Sequence, residues 1–368
     1  MANTLLTVQE IARKALLRLR NNLVLAQLVH REYTPEFGVK GDSITVRKPA
    51  VFTAAEFSTA ISVQNVTESS VSVSLDKIAD VSVEITSKQM KLNIADFGSQ
   101  VLDGAMQAIA QKIDADGHAL YKDIPYRFGT AGTTPDALED IAGVRKVLQE
   151  NKVPNSMRRL VIDPSAEAKL LVLDAVVGAD KSGSTQALRE ANMGRLMGFD
   201  TYASQNVADH TRGAYGALTD VSATAAAGAT SILLESTAGV STAVLNKGDL
   251  FSTADGQVFT VTATSAAAVA GDVTVAVSPA VGTALTASAV TFVASHTANL
   301  AFHRNAFALV NVPLALPGGS DGYVTDFEGL SVRVVRDYDI SAKKEVISFD
   351  VLYGWHTLYP ELAARLLG

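Results

Sequence analysis

The sequence predicts an α+β protein in which extended arms, one long helix and a mixed α/β body surround an inserted small antiparallel β-barrel or sandwich. Three observations predict it. Apolar or small residues recur at Ile94, Phe97, Val101, Ala105, Ile109 and Ile113 across Asn93–Ile124, a helical stripe longer than a usual globular helix. Between residues 41 and 87 the apolar positions instead alternate with period two, as strands do. From Tyr215 to His296 the composition shifts to Ala, Thr, Ser, Val and Gly, with strand patterns recurring at roughly eight- to twelve-residue spacing.

The chain has 368 residues, enough for roughly two or three domains and a full hydrophobic core. With 48% hydrophobic and 19% charged residues it is no disordered tail, and the low charge fraction suggests that partners cover part of its surface. A net charge of -7 argues against a general nucleic-acid coat while leaving room for a local basic face. The absence of cysteine excludes disulfides, thiolate metal sites and cysteine nucleophiles. The start, MANTLLTVQE, lacks the basic and apolar regions of a signal peptide. No Asp, Glu, Lys or Arg occurs between Asp272 and Arg304, a gap long enough for a membrane span. Pro279 and Gly282, with the alternation of Val273, Val275 and Val277 and then Val290 and Phe292, make it short strands instead.

Taken in order, residues 7–30 read as one amphipathic helix. Thr7 and Glu10 have capping-box spacing, and Ile11, Ala15, Leu19 and Leu23 line one face. Arg13, Lys14, Arg18 and Arg20 make its middle basic, either as a solvated face or as an arm facing a neighbour or an acidic interior. Strand candidates follow at Gly41–Pro49 and within SVSVSLDKIADVSVEIT, where Val71, Val73 and Leu75, then Val81, Val83 and Ile85, share faces. The polar TAAEFSTAISVQN between them reads as a loop tip. Such a two-stranded projection lacks its own core and needs another surface to lie on.

Asn93 or Asp96 caps the long helix, and Pro125 ends it. Gly98, Gly104 and Gly117 weaken it by about 1 kcal/mol each, and either permit bending or allow close packing. Beyond lie an amphipathic helix at 136–151, a buried strand at Leu160–Ile162, a helix with Asp163 at its cap and Pro164 in first position, and a short helix, a stop at Gly198 and a strand. In the altered stretch, TSILLES, DLFST, QVFTVTAT, DVTVAVS and AVTFVAS are strands divided by Gly and Pro turn signals. The α/β pattern resumes after them, which makes the stretch an insertion. Val332–Val335 and Val346–Leu352 alternate around a DYDISAKKE connection, and Pro360–Leu367 reads as a closing helix.

Catalytic motifs are missing. The Gly- and Thr-rich FGTAGTTP has no strand leading into it and no lysine where a phosphate cradle needs one. Asp114, Asp116 and His118 span four residues and are assigned to different faces of a solvated helix end, not to a metal site. The six histidines show no ligand spacing, and His303 reads as structural. Asp209, His210 and a serine are a chance triple, and neither a nucleophile elbow nor a dinucleotide fingerprint occurs. The expectation is a non-enzyme with no catalytic, cofactor-binding or metal residues and no cofactor.

Four motifs occur in order: GDSITVRKP (Gly41–Pro49), NMGRLMGFDTYASQNV (Asn192–Val207), FHRNAFALVNVPL (Phe302–Leu314) and DVLYGWHTLYPELAARLL (Asp350–Leu367). Together they resemble the major coat proteins of tailed bacteriophages typified by the Salmonella short-tailed phage P22. KGDLFSTADGQVFTVTATSAAAVAGDVTVAVSPAV (Lys247–Val281) is similar to that family's inserted β-barrel. The resemblance spans nearly the whole chain and implies the Hong Kong 97 phage capsid fold. Residues 1–37 are then an N-terminal arm, 38–87 an extended β loop, and 88–134 with 317–368 a peripheral domain whose spine is the long helix. Residues 135–214 and 297–316 become an axial domain, and 215–296 the inserted barrel. The insertion is shorter than in the best-known member, which puts bridging of subunits through it in question.

The function so implied is that of a major capsid protein self-assembling into pentamers and hexamers of an icosahedral head around double-stranded DNA. It would reside in the virion after assembly in the host cytoplasm. Its partners would be itself, a scaffolding protein, a portal, a decoration protein and the packaged DNA by non-specific proximity, with no membrane. Arg47 and Lys48 are candidate inter-subunit contacts, and Arg13, Arg18 and Arg20 a candidate interior-facing basic arm. A cellular nanocompartment shell of the same fold is the alternative reading, and a phage tail or adhesion protein a further one.

Overall fold

Helix α1 (Val8–Asn22) and the single turn α2 (Leu25–Leu28) open the computed structural model, which describes residues 8–31, 43–47, 70–86, 97–178, 186–319, 321–327, 330–341 and 344–368. Ile11, Ala15, Leu19 and Leu23 are buried as their spacing requires. The stretch is nevertheless not one helix. Leu23, Leu25, Ala26, Leu28 and Val29 are all buried, and no single face of a straight helix could hide so continuous a run. The chain bends at Leu23–Val24, where the Val24 amide turns to the Asp114 carboxylate.

Strand β1 (Ser43–Arg47) pairs antiparallel with β2 (Ser70–Ser74), and β3 (Lys77–Thr86) follows. Among the described side chains of this pair only Ile44 and Val73 are buried, too few to make a core of its own. The loop tip between the two strands lies outside the described residues.

The long helix α3 (Phe97–His118) buries Ala105, Ile109 and Ile113 on the expected stripe, with Met106 and Ala110 beside them. Its cap candidates Asn93 and Asp96, and Ile94, lie outside the described residues. The last predicted turn is a 3-10 helix, Ala119–Asp123, after which Pro125 holds Ile124 extended. A side chain at Gly104 would meet nothing within 4 Å, so close packing is not the reason for that glycine.

The body continues through β4 (Arg127–Phe128), α4 (Leu138–Glu150), β5 (Arg158–Ile162), α5 (Pro164–Leu171), α6 (Asp174–Val177), α7 (Gln186–Glu190), β6 (Arg195–Leu196), β7 (Phe199–Ala203) and β8 (Asp209–His210). Asp163 caps α5 as predicted, its carboxylate accepting from the amides of Ser165 (3.0 Å) and Ala166 (3.4 Å). The barrel comprises β9 (Val221–Ala225), β10 (Ser231–Ser236), β11 (Leu250–Thr253), β12 (Val258–Val261), β13 (Val273–Ser278) and β14 (Leu285–Phe292), closed in the order β10-β13-β12-β11-β14-β9. Strand β9, sequence VSATA, was missed: small residues give it little hydrophobic contrast, yet it supplies the closing pairings to β10 and β14. Ile232, Leu234, Phe251, Phe259, Val273, Val275 and Val277 fill the interior.

Next come β15 (His296–His303), β16 (Phe307–Val312), β17 (Asp321–Phe327), β18 (Leu330–Asp339), β19 (Lys344–Thr357) and β20 (Ala363–Leu367). The predicted closing helix is wrong. A 3-10 turn, Pro360–Leu362, leads into β20, whose five residues are all buried between β4 and β15. An Ala/Leu run favours helix in isolation, but enclosure on both faces and both edges overrides that preference. The uncharged gap after Asp272 is β13, β14 and β15, and no helix among the described residues is long and apolar enough to cross a membrane.

Two compact units emerge, one of residues 1–22, 31–110 and 308–358, the other of residues 23–30, 111–307 and 359–368. In the first, the sheet runs β16-β19-β18-β17, β3 also pairs with β19, and α1 lies on β17 and β18. In the second, a sheet ordered β4-β20-β15-β5-β7-β6 has β8 paired to β15 and packs under α4 and α5 through Ile141, Val144, Leu148, Leu160, Ile162 and Phe199. The barrel belongs to this second unit.

Candidate functional site: contact residues and the barrel neck

Arg13 is exposed on α1, opposite the buried Ala12, Ala15 and Leu19. Arg18 and Arg20 belong to the same helix, and their side chains lie outside what is described. Arg47 ends β1 opposite Ser70, and Lys48 lies outside the described residues. Of these five, Arg13 alone has a described side chain, and it stands in water. Among apolar side chains left in water, Val172 and Ile340 are each 79% exposed, far more than a branched aliphatic residue in a packed position.

The most elaborate polar arrangement is the neck of the barrel. The chain leaves the body through β8 and returns through β15, and these two strands pair, His210 opposite His296 and Asp209 opposite Thr297. The two imidazole rings stand 5.2 Å apart. His210 Nε2 donates to Asp249 Oδ1 at 2.8 Å, and its Nδ1 lies 2.9 Å from the Tyr121 hydroxyl, which then donates to it. Asp249 also accepts from the amides of Gly213 (3.1 Å) and Asn246 (2.7 Å). Arg365, wholly buried in β20, donates to Ile124 O (2.8 Å), Gly248 O (2.9 Å) and Thr260 Oγ1 (3.1 Å), with its guanidinium 5.0 Å from the Tyr121 ring centre. Thr260 Oγ1 donates in turn to Lys122 O, and Lys247 pairs with Asp123 at 3.0 Å. Gly248 has φ +97°, and a Cβ there would run into Lys122, so the barrel loop can close on this wall only through glycine.

Burial, partly offset by Tyr121, Asp123 and Asp249, pulls the Arg365 pKa down to about 9. Burial pushes the Tyr121 phenol up to about 12. Burial also pulls His296 down to about 4, with Arg365, His210 and Arg127 adding to the effect. Asp209 is not the partner of His210: its carboxylate takes the Thr297 hydroxyl at 2.7 Å. An Asp249–His210–Tyr121 chain so buried orients side chains and offers a substrate no access. The neck was not foreseen, because Tyr121, His210, Asp249, His296 and Arg365 come from five distant segments. The one signal was Arg365 itself, a lone charge in the apolar run AARLL.

Two residues assigned to a solvated helix end are buried. Asp114 and His118, one turn apart on α3, share its inner face, whereas Asp116 pairs with Lys112 at 2.9 Å. Asp114 accepts from the Val24 amide at 2.8 Å, and burial pushes its pKa up to about 6 against the pull of the Val24, Ala26 and Leu25 amides. His118 Nε2 lies 3.1 Å from Ser204 Oγ, and burial lowers its pKa to about 4. Among the described residues no group of His, Asp and Glu is arranged to hold a metal ion. His303 is structural, as expected, with Nδ1 accepting from the Asn305 amide at 3.2 Å.

Residues 243–368 match the family model described as P22 coat protein, gene protein 5. No curated protein matches the chain. Among solved structures, a protein of Mycobacterium phage Che8 is similar at 17% identity and TM-score 0.55, over 93% of this chain and 90% of that one. The capsid of the cyanophage P-SCSP1u (15% identity, TM-score 0.47, 89% and 83% covered) and the mature capsid of bacteriophage PhiM1 (12%, 0.46, 89% and 82%) are more distantly similar. The resemblance read from the sequence therefore holds: the chain resembles the phage coat proteins of the P22 family, in sequence over residues 243–368, on a fold that it shares along most of its length with the Che8 protein.

Proposed function

We propose that the chain is the major capsid protein of a tailed phage, self-assembling into the pentamers and hexamers of an icosahedral head that encloses double-stranded DNA. The match of residues 243–368 to a coat-protein family carries this reading, and that family is a structural one, not an enzymatic one. In it the fold is of the Hong Kong 97 type, with α3 as the spine, residues 38–87 as the extended loop, and the peripheral, axial and inserted regions at the boundaries given above. The coreless β1–β2 pair supports an extended loop that gains order on an adjacent subunit. Burial of apolar surface drives association at about 25 cal/mol per Å² before association costs, and exposed side chains such as Val172 and Ile340 are candidates for it.

Arg47 and Lys48 pair with a neighbour's acids, and Arg13, Arg18 and Arg20 face a scaffolding partner or the packaged DNA. A portal and a decoration protein complete the partners, and the virion is the place of residence. Negative-stain microscopy of the purified chain tests the reading. Closed polyhedral shells are the expected outcome; monomers or fibres at every concentration would overturn it. In the same assay, reversing the charge of Arg47 and Lys48 should reduce shell yield, and unchanged shells would remove that pairing.

A further inference from the structure

The neck contains an imidazole whose second nitrogen has no hydrogen-bond partner. His296 Nδ1 donates to Ala294 O at 2.8 Å, leaving Nε2 a bare, buried lone pair. We propose that the neck is an acid-operated joint: a proton taken up at His296 parts the barrel from the sheet while both remain folded.

The charges around this ring make the case. Across the strand pair stands His210, already engaged by Asp249 and Tyr121. Arg365 reaches the neck from β20, and Arg127, on β4, adds a second guanidinium charge. Asp209, on β8, is held by the Thr297 hydroxyl. Further out, Lys122 and the Lys247–Asp123 pair line the barrel side. The two fully buried charges, Arg365 and Asp249, balance. A proton on His296 Nε2 would add a second buried cation, without an acceptor, close to two guanidinium groups.

Opening the neck to water restores the ordinary affinity of an imidazole for protons. The open neck then binds a proton between pH 6.5 and about 4, where the closed neck does not, and falling pH favours opening. The contacts to be surrendered are mainly polar: His210 and the Gly213 amide to Asp249, Arg365 to Gly248 and Thr260, Thr260 to Lys122, and Lys247 to Asp123, beside one small apolar cluster of Leu250, Val293 and Leu367. Each side keeps its own apolar core, the barrel around Phe251 and Phe259, the sheet around Leu160 and Phe199.

Amide exchange of the full chain, expressed as protection factors, tests this at about pH 7 and about pH 4.5. The neck amides of Gly213 and Ala298 should lose protection by up to roughly seventyfold, the ratio that a shift from 6.5 to about 4 gives at the lower pH. The amides of Thr262 and Val277 inside the barrel should keep theirs. His296→Asn retains a donor for Ala294 O but takes up no proton, and should hold the neck closed at the lower pH. His118→Asn removes the other imidazole held near 4 and should leave the neck response intact. Neck amides that stay protected in the unaltered chain, or barrel amides lost in parallel with them, would overturn the proposal. Should His296→Asn misfold, ring resonances of His296 decide: its protonation must coincide with loss of neck protection, and protonation with the neck still protected refutes the joint.

Discussion

Replacing Arg365 by Met tests whether one buried guanidinium ties the barrel, the last strand and the turn after α3 together. Met has comparable length and no charge, so the variant removes the bonds and leaves the volume nearly filled. Three buried acceptors (Ile124 O, Gly248 O and Thr260 Oγ1) lose their donor at about 1–3 kcal/mol each, roughly 3–9 kcal/mol together. Asp249 is left as a buried carboxylate without its compensating cation, which adds to the loss. Against this stands the cost of burying Arg365, expressed in a pKa pulled down to about 9 and worth roughly 5 kcal/mol, which Met does not incur. These terms alone leave roughly −2 to 4 kcal/mol, and the uncompensated Asp249 carries the sum to the upper part of that range, a destabilisation of about 3 kcal/mol, or a fall in Tm of roughly 6–12 °C for a unit of this size. Thermal unfolding of the purified chain followed by circular dichroism reads it. Arg365→Lys, which keeps the charge but not the fork, should fall between the two. A Met variant as stable as the parent would show that desolvation dominates and that Arg365 does not hold the neck.

Three further perturbations have defined outcomes. Gly354→Ala places a Cβ against the carbonyl oxygen of Ser74, where β19 passes β2, and should cost about 1–3 kcal/mol and expose the Ser74 amide, now held by His356 at 2.9 Å, to exchange. Asp163→Ala removes the cap of α5 and should lower the urea midpoint by an amount equivalent to about 1 kcal/mol, with Asp163→Asn losing much less. The third concerns pH. His118 has a folded pKa of about 4, below the unfolded 6.5, so the stability it permits is complete above pH 6.5 and is lost as pH falls toward 4, by up to about 3 kcal/mol. Asp114, at about 6 against 3.8, acts oppositely: its burial penalty is full above pH 6 and is relieved as pH falls to 3.8. Asp114→Asn should therefore steepen the fall in urea midpoint between pH 6 and pH 4, and an unchanged slope would contradict the burial of that carboxylate.

Local periodicity made the α3 stripe, the capped start of α5 and five of the barrel strands readable from sequence, because each is written within one element. The errors arose where an element's environment decided its form. The run Ala363–Leu367 became a strand because it is enclosed on every side, and residues 7–30 broke because the apolar run after Asn22 leaves no polar face for water. Asp114 and His118 looked solvated because charged residues at a helix end usually are; they are buried against groups distant in sequence, the Val24 amide for Asp114 and Ser204 for His118. The neck was illegible for the same reason. Tyr121, His210, Asp249, His296 and Arg365 meet only after the chain has folded around them, and no spacing rule joins them.

The pairing of β8 with β15 has an evolutionary and practical corollary. Because departure and return lie side by side, at the separation of about 5 Å usual for adjacent strands, the sheet meets the insertion as a hairpin closed at its base and held there by His210 and Arg365. A module of other length would meet the same geometric conditions at such a port only if its ends were adjacent and it returned a carboxylate to His210 and a carbonyl to Arg365. The position is thus a natural socket for grafting cargo or display domains onto this scaffold.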